Sequence, residues 1–334
     1  MRYILLLLML GFFHVQAQQK DTEKLIKQGQ ALFGHELYED AINKYKQAIA
    51  FDKKCMEAAY ELAYTYLHTN NYDEALHYSR QVLAEEDDFW LDALLVYGAV
   101  LTHKGNPKQA IRAYRKALKN YPDEYLLHYN MAESYERLDE WDKAEVAAIR
   151  CLQMNRNHRP SHLLLSSINQ HHGHLLKSML PLYYCLFIEV DEDEKAALMR
   201  DLEGLWQVAL TQRVVTPKKL SKHSHYSGLD LAEAQLHVIA RKSADEVDEA
   251  LLLPVQRSMD LLALLDEVQT GEMDFFDIQY VDLLVRLYRA GHAEAFSYYI
   301  CSAAYKDEVL LWLGENQAAF DAFVRWMTLQ EYIN

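Results

Sequence analysis

The chain has 334 residues, 51% of them hydrophobic, and carries 34 basic against 49 acidic side chains for a formal charge of −15. Nucleic acid requires a basic face. The acid here is spread over both halves and only the small cluster Lys218, Lys219, Lys222 interrupts it, so no nucleic-acid partner is expected. With 11 Gly and 6 Pro the turns must be few and short, which suits packed helices and argues against a many-stranded sheet.

Residues 1–17 read as a signal peptide. Arg2 supplies a positive start, Ile4 to Phe13 a short apolar run, and Val15-Gln16-Ala17 a small-residue cleavage site. Cleavage after Ala17 leaves Gln18 first. The competing reading is an uncleaved anchor, but the run is short against the ~20 residues that a span needs. No later run is apolar enough to span a membrane, so no integral span is expected after cleavage. No cysteine lies near the cut, so the bacterial type of lipid-modified N-terminus is not expected. The chain is thus expected to be exported, and periplasmic or secreted in a bacterial host.

From residue 18 to 192 a helix-turn-helix unit recurs. Asn106 to Pro122 is its clearest second helix: Asn106 is placed to cap it, Pro107 suits its first position, and Ala110, Tyr114 and Ala117 fall on one face. The anchor residues Ala41, Ala75, Ala110, Ala144 and Ser178 are spaced by 34, 35, 34 and 34. The helix before each anchor carries a small residue (Gly29, Ala63, Gly98, Ala132, Ser166), which lets the second helix approach closely. Three residues later Leu32, Tyr66, Leu101, Tyr135 and Asn169 fill the space between units. One such unit cannot bury its apolar face alone, whereas stacked units can.

The period and these positions resemble tetratricopeptide (TPR) repeats, drawn at 22–55, 56–90, 91–124, 125–158 and 159–192. The third matches best, with Leu94, Gly98, Leu101, Ala110, Tyr114, Ala117 and Pro122. Asn169 and Ser178 take the fifth furthest from the pattern. The resemblance implies an all-α superhelix whose first helices line a concave groove for a protein or peptide. The groove set it implies is Tyr60, Tyr64, His68, Leu95, His103, Tyr129, Glu133, Arg137, Leu163 and His171, with Glu23, Ile26, Gln30, Phe33, Glu57, Asp92, Ala99, Glu136, Ser167 and Gln170 on the same helix positions. TPR domains that grip a peptide C-terminus use Lys, Arg and Asn at such positions. Apart from Arg137 this set lacks them, being aromatic, His-bearing and acidic, which points to internal aromatic or basic residues of a partner.

Residues 194–212 give an amphipathic helix with Leu198, Leu202, Leu205, Trp206 and Leu210 in one stripe, expected to cap the array (193–212). Periodicity lapses from Thr216 to Gly228. Residues 213–334 then read as a helical C-terminal domain, with degenerate repeats as the alternative. Ser243-Ala244-Asp245-Glu246 has the form of a capping box for a following helix. Pro254 is expected to kink or break that helix, and Gly271 and Gly291 to bracket a strong one. Further helices are expected near Phe296–Ala304, Val309–Leu313 and Ala318–Tyr332.

Little catalytic or metal chemistry is visible. There is no Gly-x-Ser-x-Gly elbow and no Gly-rich phosphate loop. Cys55, Cys151, Cys185 and Cys301 lack zinc or redox spacing and read as buried thiols. His171-His172-Gly173-His174, and the pair His158 and His162, invite a metal reading. The first group falls at a turn, where polar residues are ordinary, so neither metal nor cofactor is expected. The best reading is a non-enzymatic interaction or scaffolding protein of the cell envelope. The alternatives are an enzyme with a site in 213–334 and a carbohydrate binder that stacks sugars on exposed Tyr and Trp.

Overall fold

The structure, a computed structural model, describes residues 20–85, 87–211, 228–245, 252–268 and 273–330. The expected signal peptide and residues 216–227 of the expected linker lie outside them. All regular structure among the described residues is helical, and the chain divides into two compact units, residues 1–147 and 148–334.

The first unit is built from α1 (20–34), α2 (Tyr38–Phe51), α3 (Met56–His68), α4 (Tyr72–Leu83), α5 (Trp90–His103), α6 (Pro107–Ala117), α7 (Tyr125–Glu136) and the start of α8 (Trp141–Met154). Its anchors behave as the spacing predicts: Ala41, Ala75, Ala110 and Ala144 are fully buried. In α6 the face of Ala110, Ile111, Tyr114 and Ala117 is buried while Lys108, Gln109, Arg112, Arg115 and Lys116 face solvent, the amphipathic division that ties a short helix to a neighbour. Pro107 opens α6 as expected. Asn106 does not cap it through its side chain, whose amide instead donates to the Lys104 carbonyl at 3.2 Å.

The small-residue positions are explained by what lies opposite. A Cβ on Gly98 would fall 2.2 Å from Cζ of Tyr114, and one on Gly29 2.4 Å from Cε1 of Tyr45. Both tyrosines are fully buried. Where the first helix carries Ala63 instead, the matching residue of the second helix is Ser79, also buried. Where a glycine stands in the first helix, the second helix supplies the ring that fills the space above it.

Each first helix ends in the same turn. Glu36, Asn70, Gly105 and Asp139 have φ of 61°, 59°, 77° and 56°. The following residue returns a backbone bond across the turn: Leu37 to Leu32 (2.9 Å), Asn71 to Tyr66 (2.8 Å), Asn106 to Leu101 (2.8 Å) and Glu140 to Tyr135 (3.0 Å). This left-handed cap satisfies the last carbonyls of the helix. Gly, Asn and Asp tolerate that conformation; Glu36 does so at greater cost. Glu36→Gly is therefore expected to stabilise the first unit by about 0.5–1 kcal/mol, read as a higher urea midpoint. An unchanged or lower midpoint would count against it.

The second unit comprises α9 (Arg159–His172), α10 (Leu175–Ile188), α11 (Glu192–Thr211), α12 (Gly228–Asp245), α13 (Leu253–Glu267), α14 (Asp282–Arg289), α15 (Ala293–Cys301) and α16 (Lys306–Thr328), with a π-helical turn (Asp277–Val281) leading into α14. Helix α10 is its centre: all its residues but Lys177 and Ile188 are buried, Pro181 included, and it packs on α9, α11, α12, α15 and the π turn. The helices of the fifth repeat are thus part of the same core as the C-terminal helices. Tyr183, Phe187, Phe296 and Phe323 chain through that core at centroid spacings of 6.2–6.5 Å.

The N-terminus of α10 is capped from a distance. The Glu233 carboxylate of α12 accepts from the Leu175 and Leu176 amides at 2.7 and 2.5 Å, a negative charge at the positive end of a helix dipole. Glu233→Ala should cost about 1.5–3 kcal/mol, with Glu233→Gln recovering part. Equal stability of wild type and Glu233→Ala in urea unfolding would refute the capping role.

Several C-terminal expectations are corrected. Ser243 does not start a helix but lies in the last turn of α12, which runs on because Leu229, Ala232, Leu236 and Ala240 keep helical spacing on its buried side. Pro254 breaks nothing; it sits in the first turn of α13, where its missing N–H has no partner to lose. The two helices expected near 309–313 and 318–332 form one element, α16, with a kink at Asn316 (φ −121°). The expected amphipathic helix appears as α11, with Leu198, Leu202, Leu205 and Trp206 buried. Gly291 (φ 76°) closes α14 with the same turn as the repeats, His292 bonding back to Leu287 at 3.1 Å. The anchor place there holds Phe296 instead of a small residue.

Candidate functional site

In the first unit the first helices pack side by side, α3 on α5 and α5 on α7, and α1 meets α3 through Phe33. Six rings follow one another across this face. Phe33 lies 5.2 Å from Tyr38, 5.4 Å from Tyr64 and 5.1 Å from His68. Tyr64 continues to Tyr60 at 6.2 Å, and Tyr60 to Phe89 at 5.7 Å. Tyr38 stacks on His68 at 5.9 Å. These spacings suit offset and edge-on ring pairs. His68 is exposed and the other five rings are half-buried. They are fixed by one another yet still present ring surface to solvent.

One repeat on, the motif recurs: Tyr72, opening α4 as Tyr38 opens α2, stacks on His103 at 5.3 Å and 9°. Further along, the Tyr129 hydroxyl donates to Glu133 at 2.9 Å. Leu95 is half-buried, and its carbonyl accepts from Tyr114. Arg137 is exposed at the end of α7. With His103, Lys108 and Arg112 it lines a cleft of about 550 Å³ at the turns closing α5 and α7. Burial, and then the charge of Arg137, push the His103 imidazole below its ordinary pKa.

The other end of these helices is acidic. Glu57 lies above the usual carboxylate range because of burial, then the charges of Glu61 and Glu23, with Lys27 opposing. Asp92 is raised by burial and then by Glu124. Burial, Asp92 and Glu61 raise the Tyr60 phenol. Glu61 itself accepts from Gln30 at 2.7 Å and from Tyr45 at 3.4 Å. At the opposite end, in the last turn of α7 near Arg137, Glu133 is raised chiefly by burial.

Of the expected groove residues, Tyr60, Tyr64 and His68 are thus brought into one ring system, and Leu95, His103, Tyr129, Glu133 and Arg137 lie on the neighbouring first helices. Leu163 and His171 lie on α9, in the second unit, half-buried and exposed respectively. Ile26 is a correction: at 2% exposure it belongs to the core. The sequence reading missed Tyr38 and Phe89, because neither lies on a first helix. The recurrence of Tyr38 as Tyr72, 34 residues on, was the available signal.

All four cysteines are thiols; Cys151, Cys185 and Cys301 are buried, and burial pushes Cys185 up to about 12. Cys151 lies 3.5 Å from Nδ1 of His158 and is fully buried. His171, His172 and His174 are 6.0 and 6.1 Å apart between successive ring centroids. Among the described residues no group of three or more His, Cys, Asp or Glu is placed to hold a metal ion, and no helix is long and apolar enough to cross a membrane.

Residues 26–88 and 91–134 match the tetratricopeptide repeat family. Among solved structures the chain is similar to a thermophilic TPR protein of Thermus thermophilus, at 22% identity over 57% of this chain and 100% of that one, with a TM-score of 0.48. It is also similar to Pseudomonas aeruginosa pilF (16% identity, 69% of this chain, 100% of that one, TM-score 0.46). A third similar structure is PilW, described as a widely conserved type IV pilus biogenesis factor (14%, 87%, 98%, TM-score 0.44). No curated protein matches the chain. The matched spans take in the three repeats drawn at 22–124 and the first helix of the fourth, where the buried anchors and left-handed turns recur. The segment 26–134 therefore carries tetratricopeptide repeats.

Proposed function

We propose that this chain is a non-enzymatic interaction or scaffolding protein of the cell envelope that holds a protein segment against the first-helix face of its repeats. Tetratricopeptide repeats generally mediate protein–protein interaction and are typically scaffolds without catalysis. The observation that carries the reading is the ladder of Tyr38, Phe33, His68, Tyr64, Tyr60 and Phe89. The core rings Tyr45 and Tyr114 are fully buried. The rings of the ladder stay partly open along one face, as rigid amphipathic anchors of binding surfaces do. The envelope assignment rests on Arg2, the apolar run to Phe13 and the Val15-Gln16-Ala17 site.

Photo-crosslinking in the native host tests it. A crosslinker is placed at Tyr64 and, separately, at Tyr129, with Lys116 on the exposed face of α6 as control. One protein captured from both face positions and not from Lys116 is the expected result. Empty face positions, or equal capture from Lys116, would refute binding on this face. Protease protection of the exported chain in intact cells tests the compartment.

A further inference from the structure

We infer that the segment held on this face is basic, with a lysine or arginine side chain seated over Tyr60 and Tyr64 between Glu57, Glu61 and Asp92. The inference rests on the binding reading above and adds the chemistry of the occupant. Tyr60 and Tyr64 follow one another on α3 at i and i+4, and Glu57 and Glu61 do the same one step away, so ring and carboxylate alternate along one strip. Like charges at that spacing destabilise a helix. The neighbouring helices add to the repulsion: α1 brings Glu23, and Asp92 of α5 has Glu124 beside it. None of Glu23, Glu57, Glu61 and Asp92 makes an ion pair within 4 Å among the described residues. Lys27 is the one opposing charge that acts on Glu57.

An ammonium or guanidinium resolves this conflict. It is drawn to the face of a phenol ring and at the same time relieves the carboxylates around it. An acidic segment would meet repulsion at the same place. The preference is confined to the starts of α1, α3 and α5, because the cleft at the far ends of α5 and α7 is lined by His103 and Arg137 together with Lys108 and Arg112 of α6.

The test uses the full chain and three labelled peptides on one Gly/Ser/Tyr framework, carrying lysine, glutamate or leucine at the same positions, read by fluorescence anisotropy. The lysine peptide is expected to bind at least tenfold more tightly than the leucine peptide, and the glutamate peptide more weakly than either. Glu57→Gln/Glu61→Gln, isosteric and checked by its melting curve, should lose at least tenfold for the lysine peptide. Glu39→Gln/Asp40→Gln, the same charge change on α2, should lose little. Equal loss in both variants would reduce the effect to net charge and overturn the inference. So would a lysine peptide that binds no better than leucine, or not at all. If the leucine peptide binds equally and Phe33→Ala/Tyr64→Ala abolishes this, the face still binds protein and only its preference for a basic segment falls.

Discussion

Replacing Tyr114 by alanine is expected to destabilise the first unit by about 3–5 kcal/mol, the range for emptying a large aromatic side chain from a closed core. Tyr114 is fully buried, its ring fills the space above Gly98, and its hydroxyl donates to the Leu95 carbonyl at 3.3 Å. The pairing gives a sharper expectation than the single variant. Gly98→Ala alone should cost about 1–3 kcal/mol by overpacking, although alanine is the better helix former by roughly 1 kcal/mol. In the Tyr114→Ala background the clash is gone, and Gly98→Ala should stabilise. That change of sign is the signature of residues in direct contact. Amide hydrogen exchange in α5 and α6 reads it without assuming that both units unfold together. Additive effects of the two substitutions would contradict the filling of the space above Gly98 by the Tyr114 ring.

Acid should weaken the second unit through His162. This residue is fully buried. Its Nε2–H donates to the Arg156 carbonyl at 2.8 Å, so Nδ1 is left to accept from the Tyr280 hydroxyl, also at 2.8 Å. Acceptance at Nδ1 needs the neutral ring; the bond to Arg156 favours the charged one, but burial outweighs it and lowers the pKa from 6.5 to about 3. Between those values the unfolded chain holds a proton that the native chain does not, so stability falls as pH drops through the window. The contribution is present above pH 6.5. It falls by about 2–3 kcal/mol by pH 4.5 and by about 5 kcal/mol below pH 3. His162→Gln keeps a donor for Arg156 and stays neutral. It should be less stable than wild type at pH 7 but lose that much less on acidification. Urea unfolding at both pH values, followed in the second unit by the buried Trp206, checks it. Parallel pH profiles for the two chains would contradict it.

Local signals made the repeats legible. A 34-residue period fixed the anchors Ala41, Ala75, Ala110 and Ala144, and all are buried because each meets its partner helix at closest approach. The small residues at Gly29 and Gly98 were also visible, but their reason was not. It lies 16 residues on, in Tyr45 and Tyr114, and emerges only when the two helices are laid together. The second unit was read less well because its determinants are distant in sequence. Glu233 caps a helix that starts 58 residues before it, and nothing around His174 announces that partner. Pro254 was misread because a proline breaks a helix interior but suits a first turn, and only the boundary tells the two apart. At the site, Tyr60, Tyr64 and His68 came from the resemblance to tetratricopeptide repeats, whose first helices line the groove. Tyr38 and Phe89 join them from outside the first helices, through the turn that brings the next element back.

The central claim is that the ring ladder is a binding surface rather than packing between repeats. The most direct measurement is the affinity of the full chain for the protein captured at Tyr64, set beside that of Phe33→Ala/Tyr64→Ala and of Lys116→Ala. The account predicts at least a tenfold loss for the ring variant with its fold intact by circular dichroism, and no change for Lys116→Ala. A ring variant that melts earlier yet binds the captured protein as tightly as wild type would show the rings to be packing alone, and would contradict the claim.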